Sequence, residues 1–183
     1  MAVIANICVI ILEIIGFLIS ISKRKAEVFA YYTQLSNMVT LLSSVVLLVA
    51  GSSVLSSTLR YLSSCMLTLT FFVTVFVLVP QLEDGFHKLM LSGNGLYHHT
   101  LCPAISIASY FLWEPHAGAV LLPVVLTFLY GILMLALNYL KKYDGPYPFF
   151  RVHNQSATAT VLWMCVLTGA IALISLAVAR IAA

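Results

Sequence analysis

The stretch Leu96-Tyr97-His98-His99-Thr100-Leu101-Cys102-Pro103 opens an apolar run that ends at Trp113, and it sets two imidazoles where a membrane span begins. An ionisable side chain inside such a span costs roughly 2 to 3 kcal/mol or more, so one that is found there is a candidate for function. Pro103 has no N–H to offer the carbonyl of His99 one turn earlier, so the helix is expected to open and bend beside the histidines. Further along, His98, Cys102, Ser106 and Ser109 form a polar stripe, and Trp113 stands at the far interface, where aromatic belts form.

The remainder of the chain supplies the setting. Of its 183 residues 62% are hydrophobic and only 8% charged, with a mean hydropathy of +1.05, whereas an ordinary soluble domain is about 25% charged. Six apolar runs, about 2–22, 28–50, 59–80, 95–113, 117–140 and 157–181, reach the roughly 17 to 25 residues that a span needs. No Ser-, Gly- or charge-rich linker divides them, so the expected fold is all-α: a single transmembrane domain over 1–183, built as a bundle of six helices. With six spans, Lys23, Arg24, Lys25, Lys88, Lys141, Lys142 and Arg151 fall on one side, and only Arg60 and Arg180 on the other. By the positive-inside rule both termini are then outside.

The net charge of +3 is small and its cations sit at the ends of apolar runs, which argues against nucleic-acid binding. Cys8, Cys65, Cys102 and Cys165 lie in apolar segments without metal or redox spacing and read as packing residues. The first run is followed, not preceded, by basic residues, the reverse of a secretory signal peptide, so it is expected to stay on the protein.

Polar residues recur on single helix faces. Asn6, Glu13 and Ser20 repeat every seven residues on the first helix, a face that must look into the bundle. Glu13 stands near mid-membrane and must be protonated or paired there, as a structural hydrogen-bonding group or as part of a site. The second helix carries Thr33, Asn37, Thr40 and Ser44 at i, i+4, i+7 and i+11, with Ser36 and Ser43 beside them. Most of these hydroxyls suit helix-to-helix gluing, whereas the Asn37 amide needs several partners. Ser63, Thr70 and Thr74 on the third helix read as packing, and the fifth helix as scaffold. The segment from Tyr143 to Asn154 cannot be helical through its prolines, and its Tyr and Phe residues suit either an interfacial anchor or a lid over a lipid site.

At roughly 1.5 Å of rise per residue, Thr33 and His98 lie within about 10 Å of the same membrane surface. A hydroxyl is a weak nucleophile at neutral pH and needs a base within hydrogen-bond reach, the role histidine fills most often. Anything that enters at this depth between helices is an acyl chain or a lipid. No Gly-x-Ser-x-Gly elbow is present to strengthen the case for such a dyad.

Tyr32-Thr33-Gln34-Leu35-Ser36-Asn37, then His98 with Pro103 five residues on, then Tyr147-Pro148-Phe149-Phe150 resemble, in order and spacing, the androgen-induced-gene family of membrane threonine hydrolases, and its bacterial six-helix branch most of all. The resemblance spans nearly the whole chain, through short motifs. It implies a multi-pass protein of the bacterial inner membrane that hydrolyses fatty acid esters of hydroxy fatty acids, without metal or cofactor. Its partners would be the lipid ester or fatty acyl substrate and membrane lipids. By position Thr33 would be the nucleophile and His98 the general base. The family pattern has one histidine where this chain has His98-His99, so His99 stays open as the base. Asn37 would hold the substrate carbonyl or the developing oxyanion, with Ser36, Glu13 and Tyr147 in support. A lipid or small-molecule carrier, or a non-catalytic membrane scaffold, would use the same polar stripes. A carrier would more naturally show related halves, and no internal repeat is evident.

Overall fold

The computed structural model describes residues 1–116 and 118–181, and among them all regular structure is helical. α1 spans Ala2–Arg24, α2 Tyr32–Ala50, α3 Val54–Val73, α4 Cys102–Trp113, α5 Leu121–Tyr139 and α6 Ala157–Ile181. Five runs among these are long and apolar enough to cross a membrane: Ala2–Ala30, Tyr32–Ala50, Val54–Gln81, Leu121–Tyr139 and Ala157–Ile181. α4 is shorter and is extended at its start by the turn Gly93–Gly95 and the π turn Leu96–Leu101. α1 packs on α2 and α4, α2 on α3, and α6 on α5 and α3.

The bundle is apolar outside and polar within. Ile4, Ile11 and Leu18 of α1 are more than half exposed, while Asn6, Glu13 and Ser20 of the same helix are buried. Thr33, Ser36, Asn37, Thr40, Ser43 and Ser44 of α2 are buried as well. Lipid offers no hydrogen bonds, so polar side chains turn inward and are satisfied between helices. Thr40 Oγ1 meets Ser63 Oγ at 2.8 Å, and Ser36 Oγ meets Thr70 Oγ1 at 3.0 Å.

α3 begins five residues earlier than the hydrophobic run suggests, because Ser53 and Ser56 form a reciprocal capping box at its N-terminus. Arg60 therefore stands within the helix, fully buried, and is not a charge at the membrane surface. Its Nε donates to Glu114 Oε2 at 2.6 Å and its Nη2 to Glu114 Oε1 at 3.1 Å, the bidentate geometry that suits guanidinium and carboxylate. Nη1 also donates to Ser106 Oγ at 3.0 Å, and Nη2 to the Ser106 carbonyl at 2.9 Å. Glu114 Oε1 accepts in addition from Asn6 Nδ2 at 2.8 Å and Ser109 Oγ at 2.5 Å. One ion pair thus ties α1, α3 and α4 together, with Ser43 and Ser44 of α2 at its edge.

Removing one partner of this pair strands a buried charge. Arg60→Met or Glu114→Met is expected to lower stability by about 3 to 5 kcal/mol, and Arg60→Met/Glu114→Met by clearly less than the sum of its single changes. Thermal unfolding of the purified protein in detergent measures the difference.

Candidate functional site

Tyr31 is extended, at φ −82° and ψ 130°, and separates the 3-10 turn Lys25–Ala30 from α2. Thr33 consequently sits in the first turn of α2, at the positive end of the helix dipole, where backbone N–H groups lack helical partners. One of these is taken up across the bundle: Thr33 N–H donates to the Tyr147 hydroxyl oxygen at 3.3 Å, and Thr33 Oγ1 lies 3.2 Å from the same oxygen. Burial pushes the Tyr147 phenol above the usual tyrosine range, with the Thr33 hydrogen bonds pulling the other way.

The loop that delivers Tyr147 turns inward. Gly145, at φ +77°, permits the turn before Pro146, and Asn138 Oδ1 accepts from Val152 N–H at 2.8 Å, which ties the loop to α5. Tyr147, Phe149 and Phe150 are buried, with Tyr147 stacked on Phe149 at 5.1 Å between ring centroids. Within this segment Tyr147 reaches Thr33, Phe149 and Phe150 line the same cavity as Thr33, and Tyr143 is only half-buried.

The histidines occupy the π turn Leu96–Leu101, in which the Cys102 N–H reaches back five residues to the Tyr97 carbonyl. Pro103 cannot donate to His99, and the wider turn is the local solution. Both imidazoles face inward, in different directions. His98 is fully buried, with Nδ1 at 3.1 Å from Gln34 Nε2 and Nε2 at 3.3 Å from Glu13 Oε2. The contact with Glu13 is at ion-pair distance but is not aligned as a hydrogen bond. The Phe17 ring stands 4.8 Å from that of His98, and Gly16 leaves the space the imidazole fills, since a Cβ there would overlap it. His99 turns the other way, its Nδ1 paired with Thr74 Oγ1 at 2.9 Å.

Asn37 and Ser36 splice the two elements. Asn37 Nδ2 donates to the Thr33 carbonyl at 2.7 Å and to the His98 carbonyl at 3.2 Å, and Ser36 Oγ donates to the Thr33 carbonyl at 2.8 Å. The Asn37 Nδ2 group is therefore committed to holding the start of α2 against the histidine turn.

Two cavities meet at Thr33. A narrow slot of about 40 Å³ runs among Tyr32, Leu69, Val73, Tyr130, Met164 and Leu167. A wider vestibule of about 380 Å³ opens on the other side, past Gln34, His99 and Asn94. Thr33, Thr74, Leu78 and Tyr147 line both. A hydroxyl so placed touches an apolar channel on one side and a polar, accessible space on the other. Among the described residues no three His, Cys, Asp or Glu side chains converge as a metal set.

Of the residues the sequence singled out, Tyr147, Ser36 and Asn37 contact Thr33, Asn37 also reaches the His98 carbonyl, and Glu13 stands against His98. The Thr33 hydroxyl, however, is bonded to Tyr147 and not to His98 or His99, whose ring nitrogens face Gln34, Glu13 and Thr74. Thr74 and Gln34 join them as direct partners of the imidazoles. Thr74 carried a legible signal, since it continues the stripe of Ser63 and Thr70 along α3. Gln34 carried none beyond its place next to Thr33. No protein-family model matches the chain, and neither the curated proteins nor the solved structures compared with it give a match.

The absence of a side chain at Gly16 is what admits the His98 ring. Gly16→Ala is expected to destabilise the protein by about 1 to 3 kcal/mol through overpacking, and most of that loss should vanish in Gly16→Ala/His98→Ala. A double-mutant cycle of unfolding free energies checks it.

Proposed function

We propose that this chain is a membrane-embedded hydrolase of lipid esters, of the type that joins a fatty acid to a hydroxy fatty acid, with Thr33 as the acyl-accepting nucleophile and His98 as general base. The observation that carries the reading is the place of Thr33 at the junction of the apolar slot and the polar vestibule. An acyl chain in the slot would bring its ester carbonyl to the hydroxyl and leave the alcohol portion in the vestibule. Six spans, with both termini on the side opposite the vestibule, belong to the same proposal, as does residence in a bacterial inner membrane.

In the reaction, Thr33 Oγ attacks the carbonyl carbon while its proton passes to an imidazole. The tetrahedral oxyanion is met by the Tyr147 hydroxyl, which burial keeps in its neutral, donating form. The same imidazole then returns its proton to the leaving alkoxide, and water releases the acyl group from Thr33. Glu13, 3.3 Å from His98 Nε2, orients that ring and balances the charge it acquires. Gln34 occupies the Nδ1 of His98 in the resting state, so the side chain must swing aside for Nδ1 to serve Thr33. A second assignment, with His99 as the base, is favoured by one observation: His99 lines the vestibule together with Thr33.

Hydrolysis of a panel of lipid esters by the purified protein tests the reading. Thr33→Ala and His98→Ala are each expected to abolish turnover and His99→Ala to retain it. The reverse outcome for the two histidines moves the base to His99, and full turnover by folded Thr33→Ala removes the mechanism. Tyr147→Phe is expected to lower kcat by roughly a hundredfold, the order seen when one oxyanion donor is lost. A side chain at Gly131 would meet Met164 Sδ at 2.8 Å, so Gly131→Val should narrow the slot and impair long acyl chains more than short ones.

A further inference from the structure

Lys23, Arg24, Lys88 and Arg151 all line the vestibule, and its lining includes no Asp or Glu. Among the described residues none of these cations is paired with a carboxylate. Arg24 and Lys88 make contacts that do not neutralise them. Arg24 Nη1 donates to the Tyr31 hydroxyl and its guanidinium lies 4.7 Å from the centroid of that ring. Lys88 Nζ donates to the Glu83 carbonyl at 2.7 Å. Lys23 Nζ stands over Gly93, close enough that a Cβ there would come within 3.3 Å of it. Arg151 Nε is buried with no hydrogen-bond partner, an orphaned donor at the cavity wall.

A preference for positive charge on one side of a membrane explains which side these residues occupy. It does not explain their convergence. Lys141 and Lys142 belong to the same group by the sequence pattern, yet they line a separate depression that contains Asp144. The vestibule concentrates cations without a counter-charge, an arrangement that focuses positive potential on whatever enters. Basic pockets between membrane helices take up phosphate-bearing lipid head groups. A guanidinium presents paired donors to phosphate oxygens, and a phosphomonoester carries roughly −1.5 to −2 of charge at neutral pH, more than one carboxylate can supply.

We propose that the vestibule is a binding site for the phosphate head group of an anionic lipid, held by Lys23, Arg24, Lys88 and Arg151, with the lipid drawn from the adjoining leaflet. The site stands independently of any reaction at Thr33. Head-group binding at this mouth would place a second amphiphile, or the substrate's own polar end, next to the Thr33 junction.

Calorimetric titration of the purified protein, in a neutral phosphatidylcholine nanodisc, with dihexanoyl phosphatidate tests the proposal against dihexanoyl phosphatidylcholine, decanoate and inorganic phosphate. Saturable binding of the phosphatidate, weakened by added salt, is expected, with the other three probes at least tenfold weaker. Lys23→Gln and Arg151→Gln should each weaken binding by about fivefold, and Lys141→Gln/Lys142→Gln should leave it unchanged. Lys23 is exposed, so its variant keeps the test decisive if Arg151→Gln fails to fold. Equal binding of phosphatidylcholine overturns the role of charge, equal binding of decanoate overturns the phosphate assignment, and equal binding of inorganic phosphate overturns the lipid. An equal loss in the Lys141→Gln/Lys142→Gln protein overturns the site. Hydrolysis assays on the same variants are separate readouts, so failure of the Thr33 mechanism leaves this result standing.

Discussion

The buried pair of Arg60 and Glu114 is the interaction on which the arrangement of the bundle rests. Two charges withdrawn from water and lipid are tolerable only with near-complete hydrogen bonding, and that requirement fixes how α1, α3 and α4 approach one another, because Asn6, Ser106 and Ser109 must all reach the same two side chains. From Arg60 to Thr74 is fourteen residues of helix, about 21 Å at 1.5 Å per residue. The end of the bundle that holds the ion pair is thus distant from the end that holds the cavities. The cavity end carries open space, a π turn and polar groups with unfilled hydrogen-bonding capacity, among them Gln34 Oε1 and Asn37 Oδ1. Such groups are costly in a core and are retained where the surroundings over-determine them.

Thr33 illustrates how local chain geometry becomes a site. The break at Tyr31 exposes the start of α2, and the first-turn N–H groups need external acceptors. Tyr147 answers that need from a loop more than a hundred residues away, and in doing so brings a phenol to the Thr33 hydroxyl. The aromatic residues beside it close the apolar slot, while the basic side chains gathered around the vestibule give the two sides of the junction opposite character. That contrast is the ground for the proposal of an amphiphilic ligand.

Much of this was legible in the sequence. The seven-residue repeat of Asn6, Glu13 and Ser20, and the stripe of Thr33, Asn37, Thr40 and Ser44, mark the inward faces of α1 and α2, since only inward faces can satisfy polar groups in lipid. Pro103 marked the opening of the histidine helix. Arg60 was not legible: a cation at the end of an apolar run looks like a surface charge, and the partner that draws it inside is 54 residues away. The directions of His98 and His99 were hidden for a different reason. A spacing of 100° per residue holds for an α-helix and not for the π turn that Pro103 induces. Nor could spacing reveal that Gly16 makes room for His98, or that Thr74 partners His99, because both depend on how separate helices meet.

The central claim is that Thr33 is a nucleophile served by an imidazole. Labelling the purified protein with an active-site-directed fluorophosphonate and mapping the adduct by peptide mass spectrometry tests it most directly. The account predicts a phosphonyl group on Thr33 Oγ, formed at a rate that falls when a lipid ester competes for the slot. An adduct on another residue, or none on a protein that still hydrolyses lipid esters, would contradict it.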